Sequence, residues 1–352
     1  MLDWFPLKDV VVRFTPLGLH VVSHIRWSLA VRLLLTLLLC GIFAFPTAAR
    51  TDAQALSPEF LYQRDYSFER MTATRVVHDA DDDGPIQLSI YVWRPLKNDR
   101  REVVLFSHGS TAGLSTSPRE PGSDAPPRPL VQFLVSRGYT VVAPLRRGRG
   151  TSTGTYVEEC AFYAGKCSSA DQVALTGRGI REASLDNFAV IDQVVLGKLV
   201  PPDSRIVLAG HSRGGFLSLV MAADRPGLVN GVINFAGGWH GVNDRMSAAD
   251  YEPRIKEQTA RLRDAARKVP VPTIWIHADR DVFYNERARQ DMLRAWRDGG
   301  GKAEYVFLAE HQLPNPHAVH SAPALWGKQL DAFLEALDAR DRGKLRQDSI
   351  PQ

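Results

Sequence analysis

The chain predicts an α/β fold, with a mostly parallel central sheet, helices on both faces and a small lid insertion. Three observations predict it. Short runs rich in Val, Ile and Leu alternate with segments whose apolar residues recur at three-to-four spacing. Several of those short runs are continuously apolar, as strands covered on both faces require. One of them, residues 205–209, leads straight into Gly210-His211-Ser212-Arg213-Gly214 and then into a helical pattern.

The first 49 residues stand apart from the rest. Residues 27–45 form an apolar block, preceded by Arg13 and Arg26 and followed by the small residues Thr47, Ala48 and Ala49. Such a segment reads either as a signal peptide cleaved near Ala49 or as an uncleaved N-terminal membrane anchor. Either one exports the remaining chain, to the periplasm or beyond. Cys40 lies inside the block and lacks the small residues that precede a lipid-modified cysteine. Residues 50–70 read as a linker, 71–340 as the folded domain and 341–352 as a polar tail.

Within the domain, strands are predicted at 86–93, 103–107, 140–144, 205–209, 231–235, 273–277 and 304–308. Helices are predicted at 129–137, 181–199, 214–223, 251–268, 285–298 and 324–339. Phe188, Ile191, Val194 and Val195 illustrate the helical spacing. The first two strands follow each other directly, so the sheet is expected to begin antiparallel. Residues 115–129, rich in Pro, Ser and Gly, predict an exposed loop. Residues 237–269 are longer than a plain crossover needs and read as the lid.

A hydrophobic content of 44% supports a sizeable core. The net charge of +4 is spread among acids rather than gathered in a stripe, which argues against nucleic-acid binding. Residues 145–154 carry Arg146, Arg147 and Arg149 among glycines but lack dinucleotide-fingerprint or P-loop spacing. There Arg147 and Arg149 read as loop staples. Cys160 and Cys167 share a Gly- and Ser-rich stretch without further metal ligands nearby. After export a local disulfide is expected, with two free thiols as the alternative. Neither a metal nor an organic cofactor is implied.

The chemistry centres on Ser212. Glycines two residues before and two after it permit a sharp strand-to-helix turn, where a Cβ would meet neighbouring backbone. That turn exposes a hydroxyl beside a helix N-terminus, where N–H groups favour a developing anion. Ligands of open α/β sheets bind at the carboxyl ends of the strands. Asp279 and Asp281 follow the strand at 273–277, and His311, His317 and His320 follow that at 304–308. The order Ser, Asp, His suits nucleophilic catalysis, because a hydroxyl attacks well only when a base removes its proton.

On these residues the chain resembles the α/β-hydrolases, nearest the dienelactone-hydrolase-like and acyl-peptidase-like branch, over about residues 75–340. The resemblance implies a serine hydrolase with Ser212 as nucleophile. It favours Asp281 as the acid, with Asp279 second, and His317 as the base, with His320 and His311 as runners-up. Pro316 stands where the family often has glycine. An oxyanion hole would use the N–H of Arg213 and, from His108-Gly109-Ser110-Thr111, that of Ser110, then Thr111. Trp239 and His240 are candidates to line the substrate pocket. The expected partner is a small ester or amide, with no nucleic acid, and with a membrane only through the N-terminal segment if it is retained. A carboxylesterase is expected before a serine peptidase, since no large N-terminal domain precedes the hydrolase segment to filter peptides. A same-fold acyltransferase and a non-catalytic binding protein are the other readings.

Overall fold

The computed structural model describes residues 11–15, 18–22, 66–110, 125–159 and 168–348, with side chains for 66–110, 125–159 and 168–340. Two compact units divide the chain at Ala55 and Leu56. In the first, β1 (Val11–Thr15) and β2 (Gly18–Val22) pair antiparallel, with Val11 opposite Val22 and Thr15 opposite Gly18. No strand was expected there. The β-branched residues of both segments suit the extended conformation. Residues 27–45, on which the signal or anchor expectation falls, lie outside the described residues, as do Thr111, Cys160 and Cys167. Among the described residues no helix is long and apolar enough to cross a membrane.

The second unit is built on an eight-stranded sheet. Its strands are β3 (Tyr66–His78), β4 (Asp83–Pro95), β5 (Glu102–Ser107), β6 (Tyr139–Pro144), β7 (Ile206–His211), β8 (Val229–Phe235), β9 (Thr273–Ala278) and β10 (Ala303–Leu308). They lie in the order β10-β9-β8-β7-β5-β6-β4-β3. β4 pairs antiparallel with β3 and β6, whereas the pairs from β6 through β10 are parallel. The predicted α/β class and its antiparallel start are therefore observed.

Among the described residues six helices flank the sheet: α1 (Arg128–Val135), α2 (Ser169–Val190), α3 (Arg213–Asp224), α4 (Ala248–Ala266), α5 (Glu286–Asp298) and α6 (Pro323–Asp348). The apolar faces divide into two clusters. One joins α2, α3, α4 and α5 to Leu88, Leu208 and Val232, and the other joins α1 and α6 to Val104, Ala209 and Ile274. Successive side chains of a strand point to opposite faces, so Leu208 and Ala209 feed different layers. That is why β7 reads as an unbroken apolar run.

Four segments depart from the sequence reading. β3 begins at Tyr66, within the expected linker, and buries little beyond Ala73 and Val77 along its edge position. α2 starts well before residue 181, where Ser168 and Asp171 form a reciprocal capping box, and it ends in a π-helical turn at Ile191–Val195. α6 continues through Asp348, into the expected polar tail. The segment expected as a lid is the β8–β9 crossover, and its helix α4 buries Tyr251, Ile255 and Leu262 in the core. Gln258 of that helix fastens the chain beyond β8, accepting from the N–H groups of Trp239 (2.7 Å) and His240 (3.1 Å) and donating to the His240 carbonyl (3.1 Å).

Candidate active site

The parallel register sets the carboxyl ends of five strands side by side. Ser107 lies opposite Gly210, His211 opposite Phe235, and Ala278 opposite Leu308. Ser212, Asp279, Asp281 and the three candidate histidines therefore follow the carboxyl ends of these strands.

Ser212 sits between β7 and α3 with φ +55° and ψ −123°. A non-glycine residue held at positive φ costs about 1–3 kcal/mol, which the surroundings must impose. They do so from several sides. The Ser212 N–H donates to the Phe235 carbonyl (2.9 Å), and the Ser212 carbonyl accepts from Gly215, Phe216 and Gly238. A Cβ on Gly214 would stand 1.9 Å from the Ser107 carbonyl oxygen, so only glycine lets α3 start against the end of β5. A Cβ on Gly109 would stand 3.1 Å from that of Ser212, which places the 108–110 segment directly beside the serine. The Arg213 N–H belongs to the first turn of α3, where no intrahelical carbonyl is available to it.

Asp281 and His317 form a pair. The imidazole Nδ1–H donates to Asp281 Oδ2 at 2.9 Å. Asp281 Oδ1 accepts from the N–H groups of Phe283 (2.8 Å) and Tyr284 (3.3 Å). Burial favours the neutral acid, but the His317 bond and the Phe283 N–H outweigh it and hold the carboxyl below its ordinary range. The tautomer that donates from Nδ1 leaves Nε2 of His317 as the proton acceptor. Phe283 packs on the His317 ring, with centroids 4.5 Å apart.

His211, the residue before the serine, joins this pair to the turn. Its Nε2–H donates to the His317 carbonyl at 2.8 Å, and its ring stacks on His320 at 3.8 Å. Burial pushes the His211 imidazole well below its ordinary pKa, and that of His320 down to about 3, so both are neutral at pH 7. Tyr284 also meets the turn. Its hydroxyl donates to the Gly238 carbonyl (2.6 Å) and reaches the Ser212 side chain.

The other predicted residues fall as follows. Asp279 is 46% exposed and faces Arg289 at 3.7 Å. His311 donates through Nε2 to the Asp279 carbonyl at 3.0 Å. His320 packs between His211 and Phe106. Trp239 is buried in the core against Phe216 and the Arg213 guanidinium, and His240 meets the Thr176 hydroxyl at 2.6 Å. Both side chains are buried. Ser110 is exposed at the end of the segment that flanks Ser212.

Arg147 staples the β3–β4 turn through Asp79 (2.8 Å) and Asp82 (3.4 Å). Arg149 stacks on Tyr156, its guanidinium 3.6 Å from the ring centre. His211, Tyr284, Arg146 and Glu158 were not foreseen. Of these only His211, adjacent to the serine, carried a positional signal. Among the described residues no group of three or more His, Cys, Asp or Glu is arranged to hold a metal ion.

Comparison with known proteins agrees with this fold. The model of the alpha/beta hydrolase family matches residues 103–348, more than two thirds of the chain. The chain belongs to the alpha/beta hydrolase family. Among solved structures, this hydrolase is similar to the Pyrococcus horikoshii acylaminoacyl peptidase, with 15% identity, a TM-score of 0.51 and coverage of 79% of this chain and 42% of that one. It thus spans less than half of that peptidase. A Pyrococcus furiosus esterase matches with 15% identity and a TM-score of 0.49, over 77% of this chain and 93% of the esterase. Comparison of the sequence with curated proteins gives no match.

Proposed function

We propose that this hydrolase cleaves carboxylic esters through a covalent acyl-enzyme. The observation that carries the proposal is Ser212 held at positive φ, next in the chain to His211, which bonds the carbonyl of His317, itself hydrogen-bonded to buried Asp281. Ser212 Oγ attacks the acyl carbon as His317 Nε2 takes its proton, forming a tetrahedral oxyanion that the Arg213 and Ser110 N–H groups receive. The C–O bond to the leaving alkoxide then breaks, and the imidazolium returns its proton to that oxygen. Water repeats the sequence on the acyl-enzyme and frees the acid. Asp281 stays ionised throughout, fixing the imidazole's tautomer and balancing its charge.

An apolar ester is favoured by the rim. Val282 and Phe283, the large hydrophobic residues next to Asp281, are 53% and 47% exposed, and Phe283 lies on His317. With short-chain 4-nitrophenyl esters and aminoacyl 4-nitroanilides as rival substrates, kcat/KM should favour the esters by about 10³-fold or more. Equal or greater turnover of the anilides would make the protein a peptidase.

Export is the second part of the proposal, and it rests on the apolar block at 27–45 and the small residues after it. N-terminal sequencing of the protein recovered from cells expressing the full gene should start near Arg50. A chain beginning at Met1 in the cytoplasmic fraction would contradict it.

A further inference from the structure

One buried carboxylate joins the two sides of the oxyanion cradle. Glu158 receives Arg146 in a two-point ion pair, Nε to Oε1 at 2.5 Å and Nη2 to Oε2 at 3.0 Å. The same Oε2 receives Nη1 of Arg213 at 3.5 Å. All three side chains are at least nine-tenths buried. Burial alone would raise the Glu158 carboxyl, but Arg146 and Arg213 hold it down at about 2, so it is an anion at any working pH.

The rest of the Arg146 fork faces the segment beside the serine. Its Nη1 donates to the His108 carbonyl at 2.9 Å, and its Nη2 approaches the Gly109 carbonyl at 3.4 Å. The Gly109 carbonyl also accepts from His108 Nδ1–H at 2.8 Å, while His108 Nε2 accepts the Arg146 N–H at 3.3 Å. A trans peptide is planar, with its N–H opposite its carbonyl. Pinning the Gly109 carbonyl toward Arg146 therefore turns the Ser110 N–H the other way, and Gly109 itself abuts Ser212. On the other side, Arg213 is anchored through its guanidinium to Glu158, Tyr156 (2.7 Å) and Glu159 (2.6 Å), which fixes the residue whose N–H is the second donor.

We propose that Arg146 and Glu158 are positioning residues for the hydrolytic reaction, preforming the oxyanion hole by locking the 108–110 peptides and the first turn of α3 to one buried charge. This rests on the serine-hydrolase reading. Neither residue touches substrate. Both act through the backbone donors, so they should govern binding of the tetrahedral state and leave binding of the planar ester nearly unchanged.

Arg146→Lys keeps a cation beside Glu158 but cannot hold two carbonyls and a two-point ion pair at once, because an ammonium has no rigid fork. Glu158→Gln keeps the volume and removes the charge. In each variant kcat for 4-nitrophenyl acetate, per site titrated with a fluorophosphonate, should fall about 10²-fold with KM within about threefold. Affinity for an alkyl boronic acid, which forms a tetrahedral adduct on the serine, should fall by the same factor as kcat/KM. A purely structural role would lower the melting temperature and the titratable fraction while leaving per-site kcat and boronate affinity intact. That result in Arg146→Lys would overturn the inference, even where Glu158→Gln does not fold. If wild-type protein neither reacts with the fluorophosphonate nor cleaves esters, the serine-hydrolase reading falls, and this inference with it.

Discussion

Ser212→Ala is expected to lower ester turnover by about 10⁴-fold or more while the protein stays folded. The size of the effect follows from the proposed covalent mechanism. Without Oγ no acyl-enzyme forms, and what remains is binding and whatever the cradle does for attack by water. Stability should change little or rise. The turn at φ +55° is imposed by backbone bonds of Ser212 to Phe235, Gly215, Phe216 and Gly238, none of which uses the hydroxyl. Steady-state kinetics together with a thermal melt separate the two readouts. Loss of turnover with a parallel loss of folding would contradict this account of what holds the turn.

Asp281→Asn is the second large expectation, a fall in kcat of about 10³–10⁴-fold with KM little altered. The side chain keeps its volume, and its amide oxygen can still accept from Phe283 and Tyr284, which now meet Oδ1. Its other atom becomes an N–H₂ donor facing His317 Nδ1, so the imidazole must present a lone pair there and carry its proton on Nε2. That tautomer cannot take the Ser212 proton. Wild-type Asp281 has a depressed pKa, so its stabilisation is complete above the ordinary value of 3.8 and is lost only as pH falls below it. Activity lost between pH 5 and 7 therefore does not arise from protonation of Asp281. A variant retaining more than about a tenth of wild-type kcat would remove Asp281 from this role.

The sheet was legible because β5 to β9 are continuous apolar runs, a pattern that survives without any knowledge of neighbours. β3 was not. It lies at the sheet edge with Arg70, Thr72 and Thr74 turned to solvent, so only Ala73 and Val77 give a core signal. The start of α2 was hidden differently: Gly177 and Gly179 interrupt its early turns, and the cap at Ser168 precedes a sparse apolar pattern. At the candidate site, the sharp turn at Ser212 was legible from its own neighbours because such a turn demands glycine locally. The choice among three histidines depended on distance to a carboxylate, which spacing does not encode. His317 is the one in contact with Asp281, while His311 leans on a backbone carbonyl and His320 on aromatic rings. Arg146 and Glu158 lie twelve positions apart on an irregular segment and meet only because the loop folds back, so no periodicity announces them.

Ser212 is proposed as the activated nucleophile. Intact protein treated with a fluorophosphonate and analysed by mass spectrometry tests it most directly. A single adduct is expected on the peptide carrying Ser212, absent in Ser212→Ala and formed much more slowly in Asp281→Asn. Folded protein with no adduct, or with one on another residue, would contradict it.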